Sequence, residues 1–400
     1  MGTTTPLRLA VAGLGNMGSA HVQTASTLAR IELVGICDVD QARVDRAGAN
    51  TAARRYTDYA RMLDREKPDA VLIATPHYDH PAMSIEAFRR GMHVLVEKPV
   101  GVHALDVRRS IAAHEEARKK KPGIVFAAMF SLRTHGHWRK MKALIDEGEL
   151  GRLVRTTWII TDWFRSQRYY DSGGWRATWK GEGGGVLTNQ CPHNLDLFQW
   201  LVGMPDRITG FASLGKYHAI EVEDEVTAFF EYRSGAVGHF ITTTAESPGT
   251  NRLEIVGENG KLVFEDGKII FHRNRSSMLK FLETSPAPFD KVECWQIAVP
   301  FVSHGETGHR IIMENFVEGA LDGAPLIAPA AEGLNSVVMA NAIMHSSFNG
   351  HRTVELPMDE AAFARELQDR VNASSFAKKA AAPSGGEDMA KSFGQERGTP

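Results

Sequence analysis

The chain has 400 residues, with 46 Lys and Arg against 48 Asp and Glu for a net charge of -2, 43% hydrophobic residues, 37 Gly and 3 Cys. Length and ordinary composition point to a folded chain of two or three domains and exclude disordered and fibrous classes. The balanced charge argues against a general nucleic-acid binder, whose phosphate contacts need clustered cations. The one dense basic run, Arg118 to Lys121, follows Glu115 and Glu116 and reads as the last turn of a solvated helix.

In chain order, the apolar run Leu7 to Ala12 stops at a glycine cluster, as a buried strand of a parallel sheet does. Ile31 to Ile36, Ala70 to Ala74, His93 to Val96 and Ile124 to Ala128 repeat the pattern, with helices such as Ser84 to Arg90 and Leu105 to Lys119 between them. The alternation predicts a doubly wound parallel sheet over residues 1–130. From Arg152 to Phe271 the strands are longer, and their joints are hairpin-like: Arg233-Ser234-Gly235, Glu258-Asn259-Gly260 and Asp266-Gly267. Residues 131–355 are therefore expected to form an α+β domain with a large antiparallel sheet. One of its strands should turn Val226, Ala228, Phe230 and Tyr232 to the apolar face. Helices over about 309–321 and 330–348 should cover this sheet or lean on the first domain. Residues 356–400 are read as an extension ending in a weakly structured tail rich in Ala, Lys, Gly, Ser and Pro.

Cys37, Cys191 and Cys294 are odd in number and far apart, which gives neither a disulfide framework nor a zinc spacing. With no basic region or long apolar run at the N-terminus, a cytoplasmic protein without membrane association is expected.

Gly13-Leu14-Gly15-Asn16-Met17-Gly18 is a G-x-G-x-x-G placed directly after a strand and before the helix-compatible Ser19 to Arg30. That is the context of a Rossmann dinucleotide site. Gly13 makes the turn, Gly15 admits the pyrophosphate against the backbone, and Gly18 lets helix and strand pack. Asp38 ends the second strand 20 residues after Gly18, near the offset of the carboxylate that bonds the adenosine ribose. A carboxylate there repels a 2'-phosphate, so NAD is expected rather than NADP, with Arg43 placed to offset part of the preference.

Glu97-Lys98-Pro99 follows the strand His93 to Val96, at the sheet edge where open parallel sheets bind ligands. A partly desolvated lysine there is suited to a substrate oxygen. Gly183 to Gly185, with Asn189, His193 and Asp196, form a third constellation. On a helix from about Gln190 to Val202 those three polar residues share one side, and Leu195, Phe198 and Leu201 share another. A neutral histidine beside an amide or carboxylate is suited to take an alcohol proton. His77-x-x-His80 and His135-x-His137 lack the companions a metal needs, so no metal is expected. The aromatic and basic stretch from Trp163 to Lys180 reads as a pocket wall for a sugar ring.

With these signals in this order, the chain resembles the glucose-fructose oxidoreductase and inositol dehydrogenase family (Gfo/Idh/MocA) from about Leu7 to Glu355. The most specific part is His93-Val94-Leu95-Val96-Glu97-Lys98-Pro99. Ala74-Thr75-Pro76 with His80, and Gly183 to Gly185 with His193 and Asp196, are also similar to that family's patterns. The resemblance implies a Rossmann domain holding NAD or NADP and a second domain that closes over the nicotinamide and forms a homodimer or homotetramer. It places Asn16, Met17, Thr75, Pro76, His80 and Glu97 along the cofactor beside the three glycines, Asp38 and Lys98. Lys98 matches the family's catalytic lysine and His193 its catalytic histidine. Asn189 stands where many members carry an aspartate, which keeps a polar neighbour for His193 but removes a charge. Arg133, Tyr170, Trp175 and Arg176 complete the expected substrate contacts, together with Asn189 and His193. The activity implied is hydride transfer between the cofactor and a secondary alcohol of a sugar, glycoside or cyclitol. The family also contains NAD-dependent glycoside hydrolases that oxidise transiently, and a non-catalytic NAD sensor is a third reading.

Overall fold

The computed structural model describes residues 5–302 and 308–374. Among these the chain forms a six-stranded and a nine-stranded sheet. The first is built from β1 (Leu7–Ala12), β2 (Ile31–Cys37), β3 (Arg54–Tyr56), β4 (Ala70–Ile73), β5 (His93–Val96) and β6 (Phe126–Ala128). Between them run α1 (Asn16–Thr27), α2 (Gln41–Gly48), α3 (Tyr59–Glu66), α4 (Asp79–Arg89) and α5 (Ala104–Lys120). Every pairing is parallel. The order β3-β2-β1-β4-β5-β6 reverses direction between β1 and β4, so the loops after β1, β4 and β5 meet at one edge, where such sheets take ligands.

The central strands are buried throughout because helices cover both faces; β4 and β5 expose no residue. The sequence reading missed β3, whose two arginines are exposed and leave no apolar run. It also started α4 at Ser84 rather than Asp79, since His80 and Pro81 do not look like core residues, yet both are buried.

A 3-10 turn (Ser131–Thr134) and α6 (Gly136–Asp146) lead into the second sheet. Then come β7 (Leu153–Ile160), α7 (Gln167–Asp171), α8 (Pro192–Val202), β8 (Arg207–Leu214), β9 (Glu223–Glu231), β10 (Val237–Thr243) and β11 (Asn251–Gly257). β12 (Gly260–Glu265), β13 (Lys268–Asn274), α9 (Met278–Thr284), β14 (Cys294–Val299), α10 (Gly308–Asp322), α11 (Ala330–Phe348), β15 (Val354–Glu355) and α12 (Glu360–Ala373) follow. The predicted hairpins join β9 to β10, β11 to β12 and β12 to β13. The sheet is mostly antiparallel, but β7 and β10 run parallel. On β9, Val226, Ala228 and Phe230 face inward as expected, while Tyr232 lies past the strand end. Leu195, Phe198 and Leu201 of α8 and Met339, Ala342 and Ile343 of α11 are buried in this sheet's core. Each Leu, Phe, Met or Ile among them contributes about 1.5–3 kcal/mol of burial free energy.

Two late helices lean on the first domain, as one of the two expected placements has it. Ile312, Met313, Phe316 and Val317 of α10 belong to the core of the parallel sheet, although they lie in the stretch assigned to the second domain. α11 serves both cores, with Leu334 and Val337 in the first and Met339 and Ile343 in the second. Asn341 on α11 fastens the loop before α5, accepting from the Ala104 amide at 2.9 Å and donating to the Val102 carbonyl at 3.1 Å. The extension expected from residue 356 holds a helix, α12, capped by Asp359 and buried at Phe363 and Leu367. The tail expected after about Ser375 lies outside the described residues. No helix among those described is long and apolar enough to cross a membrane.

Candidate active site

β1 stops at Gly13, whose φ of +87° belongs to the left-handed region and whose added Cβ would lie 2.5 Å from the Ala74 backbone. A Cβ on Gly18 would sit 1.7 Å from the Gly13 carbonyl oxygen. Helix and strand therefore pack backbone to backbone. Gly15 differs: nothing in the protein lies within 4 Å of a Cβ there. It caps α1 without a side-chain bond, and Asn16 and Met17 open the first turn. The bare amides of a helix start at this point suit a pyrophosphate.

The buried Asp38 carboxylate accepts from the Leu14 amide at 2.7 Å and the Asp40 amide at 2.9 Å, so it braces the glycine loop. Arg43 approaches it to 3.8 Å. Glycines, helix start and acid together fit the adenosine and pyrophosphate portion of NAD.

At the end of β5, Glu97 is buried and receives a 2.7 Å contact from His21 of α1. Burial alone would raise its pKa, but the bond and charge of His21, with His309 and Lys98 nearby, hold the carboxyl down to about 2. Glu97 is thus anionic beneath Lys98, whose amide it accepts at 3.1 Å. The Lys98 ammonium crosses to the second domain and donates to the Asn189 carbonyl at 2.8 Å. Burial lowers the Lys98 pKa, Glu97 and Glu182 oppose that, and Arg176 and Arg165 reinforce it.

His193 is the second residue of α8, after Pro192 at a position that needs no amide hydrogen. It is buried, and neither ring nitrogen has a hydrogen-bond partner among the described residues. Burial first, then the positive charge of Lys98, holds its pKa well below the ordinary 6.5. A neutral imidazole with both nitrogens unspent is available to a ligand.

α8 begins at Pro192, so Asn189 precedes the helix and does not share a face with His193 and Asp196. Its amide instead donates to Glu182, its side-chain oxygen receives the Tyr169 hydroxyl at 3.3 Å, and its carbonyl receives Lys98. Glu182 was not singled out in the sequence, although it stands directly before the three glycines. Its buried carboxylate also accepts from the Ala177 amide at 2.5 Å.

Other expected site residues have different places. Arg133 is 1% exposed and grips Asp196 through two bonds of 2.6 and 2.7 Å, with Glu332 on its other side. It anchors α8 from the interior, its guanidinium taken up by these two carboxylates. Tyr170 is buried with its hydroxyl on Thr244 at 2.7 Å, so the site-facing tyrosine is Tyr169. Tyr169, Trp175 and Arg176 cluster together, with the Arg176 guanidinium 2.9 Å from the Tyr169 hydroxyl. His80 is fully buried and places a ring nitrogen on each of the Pro99 and Thr75 carbonyls, at 2.7 and 2.8 Å. It joins the loops after β4 and β5, with both ring nitrogens engaged by main-chain carbonyls. Thr75 and Pro76 remain on the accessible edge.

The comparisons with known proteins agree with this geometry. Residues 7–122 match an oxidoreductase family with an NAD-binding Rossmann fold, GFO_IDH_MocA, and residues 138–263 match the GFO/IDH/MocA C-terminal domain. The chain belongs to the GFO/IDH/MocA family. Among proteins of this family, it is 26% identical over 340 residues to levoglucosan dehydrogenase of Pseudarthrobacter phenanthrenivorans, covering 75% of this chain and 84% of that one. To the scyllo-inositol 2-dehydrogenase (NAD(+)) of Bacillus subtilis it is 24% identical over 359 residues, covering 86% and 95%. The structure of the WlbA dehydrogenase from Bordetella pertussis in complex with NADH and UDP-GlcNAcA superposes with a TM-score of 0.73 at 27% identity, over 88% of this chain and all of that one. The protein is accordingly an oxidoreductase of the GFO/IDH/MocA family with an NAD-binding domain.

Proposed function

We propose that the protein oxidises, reversibly, a secondary alcohol of a sugar, glycoside or cyclitol. The observation that carries this reading is His193, buried, neutral and without a hydrogen-bond partner among the described residues, in the site that also holds the Lys98 ammonium. His193 takes the hydroxyl proton of the substrate, and Lys98 donates a hydrogen bond to the same oxygen as negative charge develops on it. Bound NAD supplies the acceptor for the hydride that leaves the carbinol carbon. The Glu97 and Glu182 charges oppose the loss of the Lys98 proton that burial favours, and the Asn189 carbonyl holds the ammonium toward the second domain. The dehydrogenases of levoglucosan and scyllo-inositol among the relatives support this substrate class.

A cytoplasmic setting agrees with three cysteines that are free, of which Cys294 is exposed. A homodimer or homotetramer is supported by exposed apolar residues on the second sheet, among them Phe211, Leu214, Trp295 and Ile297. The test of activity is a panel of polyols, aldoses and aryl glycosides, followed by NADH absorbance and by aglycone release. NADH formed in proportion to product is the expected result. Aglycone release with only catalytic NAD would replace this reading with redox-neutral hydrolysis.

A further inference from the structure

Arg176 is partly buried between two rings, its guanidinium carbon 4.7 Å from the centre of Tyr169 and 4.8 Å from that of Trp175. One nitrogen donates to the Tyr169 hydroxyl at 2.9 Å. That hydroxyl also meets the Asn189 side chain at 3.3 Å and Gln190 at 3.1 Å, and the Asn189 carbonyl holds Lys98 at 2.8 Å. The guanidinium is therefore fixed beside the reacting end of the site, two residues removed from the lysine. On the other side, Trp175 meets the His77 ring edge-on at 5.5 Å.

Among the described residues Arg176 pairs with no carboxylate. The nearby acids are committed elsewhere, Glu182 to Ala177 and Asn189, and Glu97 to His21 and the Lys98 amide. Arg133, another arginine near the site, has two carboxylates, and Arg165 lies over the Tyr169 ring at 5.2 Å. An arginine held by aromatic rings, with most of its donor fork unspent, is the arrangement that receives a planar or tetrahedral oxoanion. A substrate carrying only hydroxyls leaves the guanidinium without a carboxylate or phosphate partner among the described residues.

We propose that the substrate is an anionic sugar, whose carboxylate or phosphate group is received by Arg176 while its secondary alcohol lies between Lys98 and His193. This rests on the hydride-transfer reading for the second half of the statement only. The anion contact concerns binding and stands independently of turnover.

The test uses matched ligands of several ring configurations: a hexose, its uronate and its 6-phosphate. Each is titrated into the full-length enzyme with NADH bound, by fluorescence, and assayed as substrate with NAD. The wild type should bind one of the two anionic members about 10- to 100-fold more tightly than the neutral parent, and which one identifies the oxoanion. Arg176→Gln should remove that advantage, raising KM for the anionic member far more than for the neutral parent; Arg176→Lys should restore part of it. Equal or better binding of the neutral parent by the wild type overturns the proposal. So does an equal effect of Arg176→Gln on all three ligands or on NADH, which would give the arginine a structural or cofactor role. If nothing is oxidised but the binding differences hold, hydride transfer fails as the activity and the anion contact survives.

Discussion

Lys98 and Asn189 are 91 residues apart, yet the ammonium of the first donates to the main-chain carbonyl of the second at 2.8 Å. The lysine comes from the end of a parallel strand, and the asparagine from the turn that starts α8. This bond connects the cofactor domain to the helix carrying His193. Substitution of Lys98 by Met removes the only proposed donor to the developing alkoxide. We expect kcat to fall by about 10²- to 10³-fold or more, while the Kd for NADH, measured by fluorescence titration, changes little. Turnover near the wild-type rate would remove Lys98 from the mechanism.

The glycine loop separates folding from binding. At Gly18 a Cβ would meet the Gly13 carbonyl at 1.7 Å, whereas at Gly15 it meets no protein atom within 4 Å. Gly18→Ala should lower the melting temperature and impair the fold, while Gly15→Ala should melt like the wild type and lose NADH affinity. A Gly15→Ala variant that still binds NADH normally would contradict the placement of the pyrophosphate.

Arg133 and Asp196 form a fully buried ion pair. Burial pushes the Asp196 carboxyl up, and the arginine bonds oppose this. Arg133→Met leaves that carboxylate, among the described residues, with the Gln199 side chain at 3.2 Å. Removing one member of such a pair costs about 3–5 kcal/mol, so the urea midpoint should drop sharply. Adding Asp196→Asn should recover part of the loss, because the stranded charge is removed. An unchanged midpoint in the single variant would show that the pair is not a stability determinant.

Stability should decline on mild acidification. Burial depresses the pKa of His77, His93, His137, His193 and His309 below the ordinary 6.5, to about 4 for His93 and His309 and about 3 for His137. The unfolded chain takes up protons as pH falls through 6.5 and the native state does not, so unfolding is favoured progressively below that pH. Glu97, about 2 in the fold against 4.5 ordinarily, adds a further loss below about pH 4.5. Melting temperatures recorded by circular dichroism from pH 8 to pH 5 should fall steadily under pH 6.5; a flat profile would mean that these histidines protonate in place.

The parts of the site legible in the sequence are those set by neighbours along the chain. Gly13, Gly15 and Gly18 follow directly on β1, and Asp38 follows the end of the next strand; steric limits on the backbone and one strand-helix-strand unit decide all four. Glu97 and Lys98 lie where β5 must end, and the hairpin turns of the second sheet announce themselves through Gly235, Gly260 and Gly267.

Tertiary structure alone decided which polar residues face the site. Tyr169 and Tyr170 are adjacent and chemically alike, but the packing of α7 turns the second into the core toward Thr244 and leaves the first to Asn189 and Arg176. Arg133 reads as a substrate contact until Asp196, 63 residues later, is brought against it in the interior. The place of α10 in the first core, and of Glu182 behind Asn189, likewise depends on contacts between distant segments. Local sterics are written in a few consecutive residues, whereas the partner of a buried charge is chosen by the way the two domains close on α8 and α11, which no single stretch of sequence contains.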